Sequence, residues 1–277
     1  VPHLDYGSPA QAYGIAQGQL AYYQALEEAG LVRMIADRET LDRHVDAWQV
    51  RDEDGSDAAP PPLGLVLSME GADPILDPDD LPAWWGAGLR ILGPVHYGPG
   101  RYGGGTGTER GLTLLGERLL DAMMDQGMIL DLTHFSDQAF WEAADRFEGP
   151  VLASHNTCRA LVPHQRQFTD AQIAAIAARD GVIGVACDAW MLQPGWNKGW
   201  STNAGVTLDD VVDHIDHLCQ VVGDCRHAAI GSDLDGGFGR EQSPRDLNTI
   251  ADLQRIADLL RARGYAAEDV AAIMHGN

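Results

Sequence analysis

From about residue 63 onward, short apolar runs alternate with amphipathic stretches, a pattern that predicts βα units around a largely parallel sheet. The runs predict six strands, at Gly64–Met69, Leu89–Val95, Met128–Thr133, Val151–Ser154, Val182–Cys187 and Ala228–Asp233. Helices are expected between and beyond them at Leu112–Gln126, Asp137–Phe147, Asp170–Arg179, Leu208–Val222 and Pro244–Arg263, several opening on a capping residue such as Ser136, Thr169, Thr207 or Ser243. Gln17–Ala29 reads as one more helix. Asp52–Pro62 reads as a surface loop and Gly98–Gly107 as a glycine-rich one. Within the latter, Gly103–Gly107 follows Tyr102 with neither a lysine nor a helix placed to hold a phosphate, and is read as a flexible connection.

Polar residues interrupt this pattern at corresponding places. Glu70, His96, His134, His155 and Asp233 each fall at or just past the C-terminal end of an expected strand, where barrel enzymes carry their chemistry. A doubly wound open sheet also binds ligands there, so position alone does not separate the two architectures, although no Gly-x-Gly-x-x-Gly follows a strand. A chain of 277 residues suits a single barrel domain over residues 1–277.

Composition narrows the partners. Nineteen Lys plus Arg against 41 Asp plus Glu give a net charge of −22, with no basic cluster able to neutralise a row of phosphates, which argues against nucleic acid. An acidic surface favours solubility and would also draw cations toward a metal site. Cys158, Cys187, Cys219 and Cys225 lack Cys-x-x-Cys spacing and lie in or near apolar segments, so a reducing, cytoplasmic setting is expected rather than a disulfide framework. No apolar run approaches the roughly 20 residues that span a bilayer. The sequence starts at Val1, which leaves a removed targeting segment open.

Imidazoles and a carboxylate carried on separate strand ends can converge on one point without being neighbours in sequence, and that donor set suits zinc and related divalent ions. Three of ten histidines, His96, His134 and His155, occupy such ends. The other histidines serve as a control. His214 and His217, three apart on an expected helix, read as a solvated face; His44, His227 and His275 have no strand-end context; His164, after Pro163, sits where it could support a neighbouring ligand.

With these residues in view the sequence resembles the membrane (renal) dipeptidase family. The strings Ser68-Met69-Glu70-Gly71, Asp131-Leu132-Thr133-His134, Ser154-His155-Asn156, Pro163-His164-Gln165-Arg166 and Gly231-Ser232-Asp233-Leu234-Asp235-Gly236 occur in the family's order and approximate spacing. The resemblance implies a (β/α)8 TIM-type barrel, two Zn2+ per chain and hydrolysis of dipeptides by a metal-bridged hydroxide, with a D-residue accepted at the C-terminal side by some members. It implies that Glu70 bridges the metals, that His134 and His155 complete the second metal site, and that His96 faces the substrate and stabilises the developing oxyanion. Arg166 would receive the substrate's free carboxylate, and Asp233 would serve as the acid/base residue. The alternative for Arg166 is a surface ion pair, and for Asp233 a helix N-cap or turn residue. A homodimer is left open.

One part of the family pattern is displaced. Its first metal draws on a His-x-Asp pair well upstream of the Glu-Gly motif, whereas here only about 65 residues precede that motif. His3-Leu4-Asp5 has the right spelling, but Val1-Pro2 resembles the end of the family's second strand. The expectation is therefore a barrel lacking one or two N-terminal strands and, after Gly276-Asn277, its final helix. Two alternatives stay open: an amidohydrolase acting on a lactone or cyclic amide, and a metal-binding homologue without catalysis.

Overall fold

The computed structural model describes residues 7–54, 59–234 and 236–277, so the His3-Leu4-Asp5 and Val1-Pro2 readings, and Asp235, lie outside the described residues. The described residues fall into two compact units, one within 1–130 and 141–149, the other within 131–140 and 150–277.

The first unit runs α1 (Pro9–Glu28), β1 (Val32–Met34), α2 (Arg38–Asp54), β2 (Leu63–Leu65), β3 (Leu67–Glu70), α3 (Leu81–Gly86), β4 (Leu89–Gly93), α4 (Leu114–Gln126) and β5 (Ile129–Asp131), with α5 (Asp137–Arg146) ending in it. All its strand pairs are parallel: Val32 lies opposite Leu63, Met69 opposite Leu92 and Ile91 opposite Ile129. The run expected at Gly64–Met69 is thus two strands. Each has its own partner, β1 for the first half and β4 for the second, and half-exposed Val66 marks the break. Helix α4 shows why the amphipathic pattern works here. Thr113 accepts the Gly116 N–H at 3.0 Å to start it, Leu119, Leu120 and Met123 bury one face, and Gly127 ends it with φ 71°. Helix α2 was not among the expected elements; Asp37 starts it by accepting the Thr40 N–H at 2.7 Å.

The second unit runs β6 (Val151–Asn156), α6 (Asp170–Ala177), β7 (Val182–Val185), α7 (Ala189–Leu192), α8 (Leu208–Val222), β8 (Ala228–Ile230), α9 (Arg255–Ala262) and α10 (Ala267–Ala271). Strands β6, β7 and β8 are parallel neighbours in chain order, with Ala153 opposite Ile183 and Gly184 opposite Ala229. Reciprocal capping boxes open two of the expected helices, Thr169 with Gln172 and Thr207 with Asp210. The single helix expected over Pro244–Arg263 does not form. Asp252 accepts the N–H groups of Asn248 and Thr249, both at 2.9 Å, restarting the chain as a 3-10 turn before α9, while Ser243 turns its hydroxyl to the Gly239 carbonyl instead of capping. The α/β class with parallel strands in chain order is as expected from the periodicity.

His214 corrects the reading of α8. It is only 1% exposed, and its Nδ1 accepts the Cys158 N–H at 3.0 Å, while its neighbour His217 pairs with Asp170 at 2.8 Å. Alternating Asp and His at the surface positions of α8 disguised an imidazole belonging to the apolar face of Val211, Val212, Ile215 and Leu218. Burial pushes the His214 pKa down from 6.5 to about 4, with His217 adding to the effect. The unfolded chain therefore takes up this proton first. His214 contributes stability that is complete above pH 6.5 and fades as pH falls toward 4, by on the order of 3 kcal/mol. Urea unfolding of wild type and His214→Asn between pH 4 and 7 checks this: the wild type should lose stability on acidification more steeply, and parallel curves would refute it.

Candidate metal centre

Two pairs of residues from the expected set are placed within the units. In the first unit Glu70 is the last residue of β3, and the ladder continues past it as Gly71 N–H donates to the Gly93 carbonyl at 2.9 Å. His96 stands three residues beyond β4, with its Nε2 3.9 Å from a Glu70 carboxylate oxygen. That spacing is too long for a direct hydrogen bond, and both side chains keep access to solvent, at 25% and 44% exposure.

The loop behind His96 is not the flexible connection expected from its glycines. Gly103, Gly104, Gly105 and Thr106 are buried, and Thr106 N–H donates to the His96 carbonyl while Gly105 N–H donates to that of Gly98, both at 2.9 Å. A Cβ on Gly105 would sit 1.9 Å from the His96 carbonyl oxygen, and one on Gly104 2.0 Å from that of Arg110. The glycines are there because backbone packs on backbone, which composition alone does not distinguish from flexibility.

In the second unit the imidazoles of His134 and His155 face each other with Nε2 atoms 3.2 Å apart, and both residues are at least nine-tenths buried. His155 lies within β6, whereas His134 stands three residues past β5 in the left-handed region, φ 69°, an uncommon and costly conformation for a residue with a Cβ. Asp131 supports both. Its buried Oδ1 accepts the Thr133 and Ser154 N–H groups, each at 3.0 Å, and so ties the turn before His134 to the strand carrying His155. The Ser154 hydroxyl meets His155 Nδ1 at 2.9 Å and fixes that ring's orientation. Asp131 was visible in the sequence only as part of a string; its role as a clamp needed the fold.

This donor set fits a divalent ion. Zinc–imidazole bonds of about 2.05 Å at a tetrahedral angle put two ligand nitrogens about 3.3 Å apart, close to the 3.2 Å observed. Without a cation, the same spacing suits one N–H···N hydrogen bond.

Arg166 is buried, at 3% exposure, and its Nη2 donates to the His155 carbonyl at 2.9 Å, so the surface ion pair is excluded. Its N–H donates to His164 Nδ1 at 3.0 Å, and the His164 ring sits edge-on to Trp190. Burial and the adjacent Arg159 and Arg166 lower the His164 pKa, favouring a neutral ring that can accept that bond. Asp233 stands three residues past β8 at φ 56°, in a turn in which Gly236 N–H donates to its carbonyl.

Comparison with known proteins decides the family. Residues 16–277 match the model of the membrane dipeptidases, peptidase family M19. The chain belongs to that family. An uncharacterized protein in the pqqA 5′ region of Klebsiella pneumoniae is 34% identical over 212 residues, 73% of this chain and 75% of that one. Among solved structures, the metallo peptidase dipeptidase AC of family M19 is 26% identical with a TM-score of 0.80, covering 97% of this chain and 76% of the other. A metallo peptidase from Rhodobacter sphaeroides, solved with a phosphinate mimic of the dipeptide L-Ala-D-Ala, is 26% identical with a TM-score of 0.77, covering 97% and 73%. This family member spans about half the length, or less, of several further curated relatives. None of its described helices is long and apolar enough to cross a membrane.

The glycine loop gives a direct test. Gly105→Ala should cost about 1–3 kcal/mol by overpacking against the His96 backbone, read as a lower urea midpoint; unchanged stability would mean that the loop yields freely.

Proposed function

We propose that this M19 family member is a zinc-dependent dipeptidase, acting as one domain over residues 1–277, with one Zn2+ held by His134 and His155 and a second that depends on the family's upstream His-x-Asp pair. The observation that carries the reading is the buried pair of facing imidazoles, His134 and His155, whose spacing suits two ligands of one ion. Glu70, at the end of β3, is the carboxylate that the family resemblance adds to this ligand set. A bound divalent metal supplies a Lewis acid for the scissile carbonyl and makes water nucleophilic near neutral pH.

The remaining roles belong to the chain's own groups. The Ser154 hydroxyl holds His155 in one orientation. Arg166 binds the free carboxylate of the dipeptide, a task suited to a planar guanidinium, and its Nη2 bond to the His155 carbonyl fixes its reach. His96 donates to the oxygen that gains charge at the scissile carbon. Asp233 takes a proton from the attacking water and passes it to the leaving amine. A reducing, cytoplasmic setting goes with this reading, since all four cysteines are free thiols. The L-Ala-D-Ala mimic bound by the Rhodobacter relative favours small L,D dipeptides as first substrates.

The assay uses the protein with zinc, on a panel of L,L and L,D dipeptides. Hydrolysis should vanish with chelator and return, together with bound metal, on adding zinc; metal-independent turnover, or none on any dipeptide, would sink the reading. Replacing Arg166 with Met should raise KM for dipeptides by about 10–100-fold and leave a neutral lactone untouched, whereas equal effects on both would favour the lactone or cyclic amide alternative.

A further inference from the structure

The end of β7 carries a carboxylate that the reaction above does not use. Asp188, three residues past that strand, is 5% exposed. Both its oxygens accept from Gln242 Nε2 at 2.8 Å, and one also accepts the Trp190 N–H at 3.2 Å. Gln242 is equally buried, at 4% exposure.

The neighbours of Asp188 along the chain show what this contact closes. Cys187 N–H donates to the Ser232 carbonyl at 3.1 Å, and Ala189 N–H donates to the Gln242 carbonyl at 2.7 Å. Three consecutive residues thus grip both ends of the segment that leaves β8, with Asp233 just inside the first grip and Gln242 at the second. Asp233 itself is at φ 56°, a conformation that persists only where its surroundings enforce it.

We propose that Asp188 is a positioning residue for Asp233: through Gln242 it locks the loop that carries the acid/base carboxylate onto the end of β7. A buried carboxylate is a poor choice for stability alone, since an apolar or amide residue of similar size avoids the desolvation cost. Burial pushes the Asp188 carboxyl up to about 6, and the Asp233 charge contributes to the rise, as expected of two carboxylates held on adjacent strand ends. The inference rests on the role given to Asp233 above.

The test measures kcat and KM of the zinc-loaded protein on its best dipeptide, with bound zinc and thermal midpoint recorded for each variant. Asp188→Asn and Gln242→Met should each lower kcat about 10–100-fold through a misplaced loop, with KM within about twofold and zinc content unchanged. The exchange variant Asp188→Asn with Gln242→Glu restores an amide–carboxylate pair and should recover most of the lost kcat. Wild-type kcat in folded Asp188→Asn or Gln242→Met overturns the proposal, as does loss of activity that only tracks loss of zinc or of folded protein. Failure of the exchange variant to recover also overturns it. If Asp188→Asn does not fold, Gln242→Met decides alone. Asp233→Asn separates the two readings: an active Asp233→Asn sinks the role of Asp233, whereas an inactive one beside a fully active Asp188→Asn sinks only the role of Asp188.

Discussion

Two ring nitrogens held 3.2 Å apart in a buried setting are the constraint around which this part of the chain is organised. Imidazoles are not left nose to nose in a protein interior without either a shared proton or a shared cation, because buried polar groups need partners. Holding them so requires one histidine inside a strand and the other in the left-handed region just past the neighbouring strand. It also requires a buried carboxylate, Asp131, to bind the backbone of both segments.

The same device recurs at other strand ends. Asp233 also takes a positive φ, and the loop behind it is gripped at both ends by the residues following β7. Behind His96 the support is backbone packed on backbone, which is why glycine stands at 104 and 105. In each case a residue with a proposed chemical role is held by groups that touch nothing reactive. Such residues carry precision rather than chemistry, and geometry within a fraction of an ångström governs how well a site turns over.

The histidines show how far residue type can be trusted. His134, His155, His214 and His227 are all buried, yet His214 accepts a backbone N–H and His227 bonds the Gly181 carbonyl. Only the first two face one another. Alternation of aspartate and histidine along α8 made His214 look solvated, since a helical pattern averages over positions and one polar residue on the apolar face does not disturb it.

Local, periodic features were determined by the sequence alone. Alternating apolar runs gave the parallel α/β class, helix α8 matched its expected bounds, and the polar residues closing the runs marked the strand ends where chemistry was expected. These are legible because burial on both faces of a strand, or on one face of a helix, must be encoded in consecutive residues. Tertiary structure decided everything that depends on distant partners: the division of Gly64–Met69 between two neighbours, the restart at Asp252, the packed glycine loop, the Asp131 clamp and the Asp188–Gln242 lock. A hydrogen bond between residues 54 positions apart leaves no periodic trace. It becomes visible only once the chain has brought both groups to the same place.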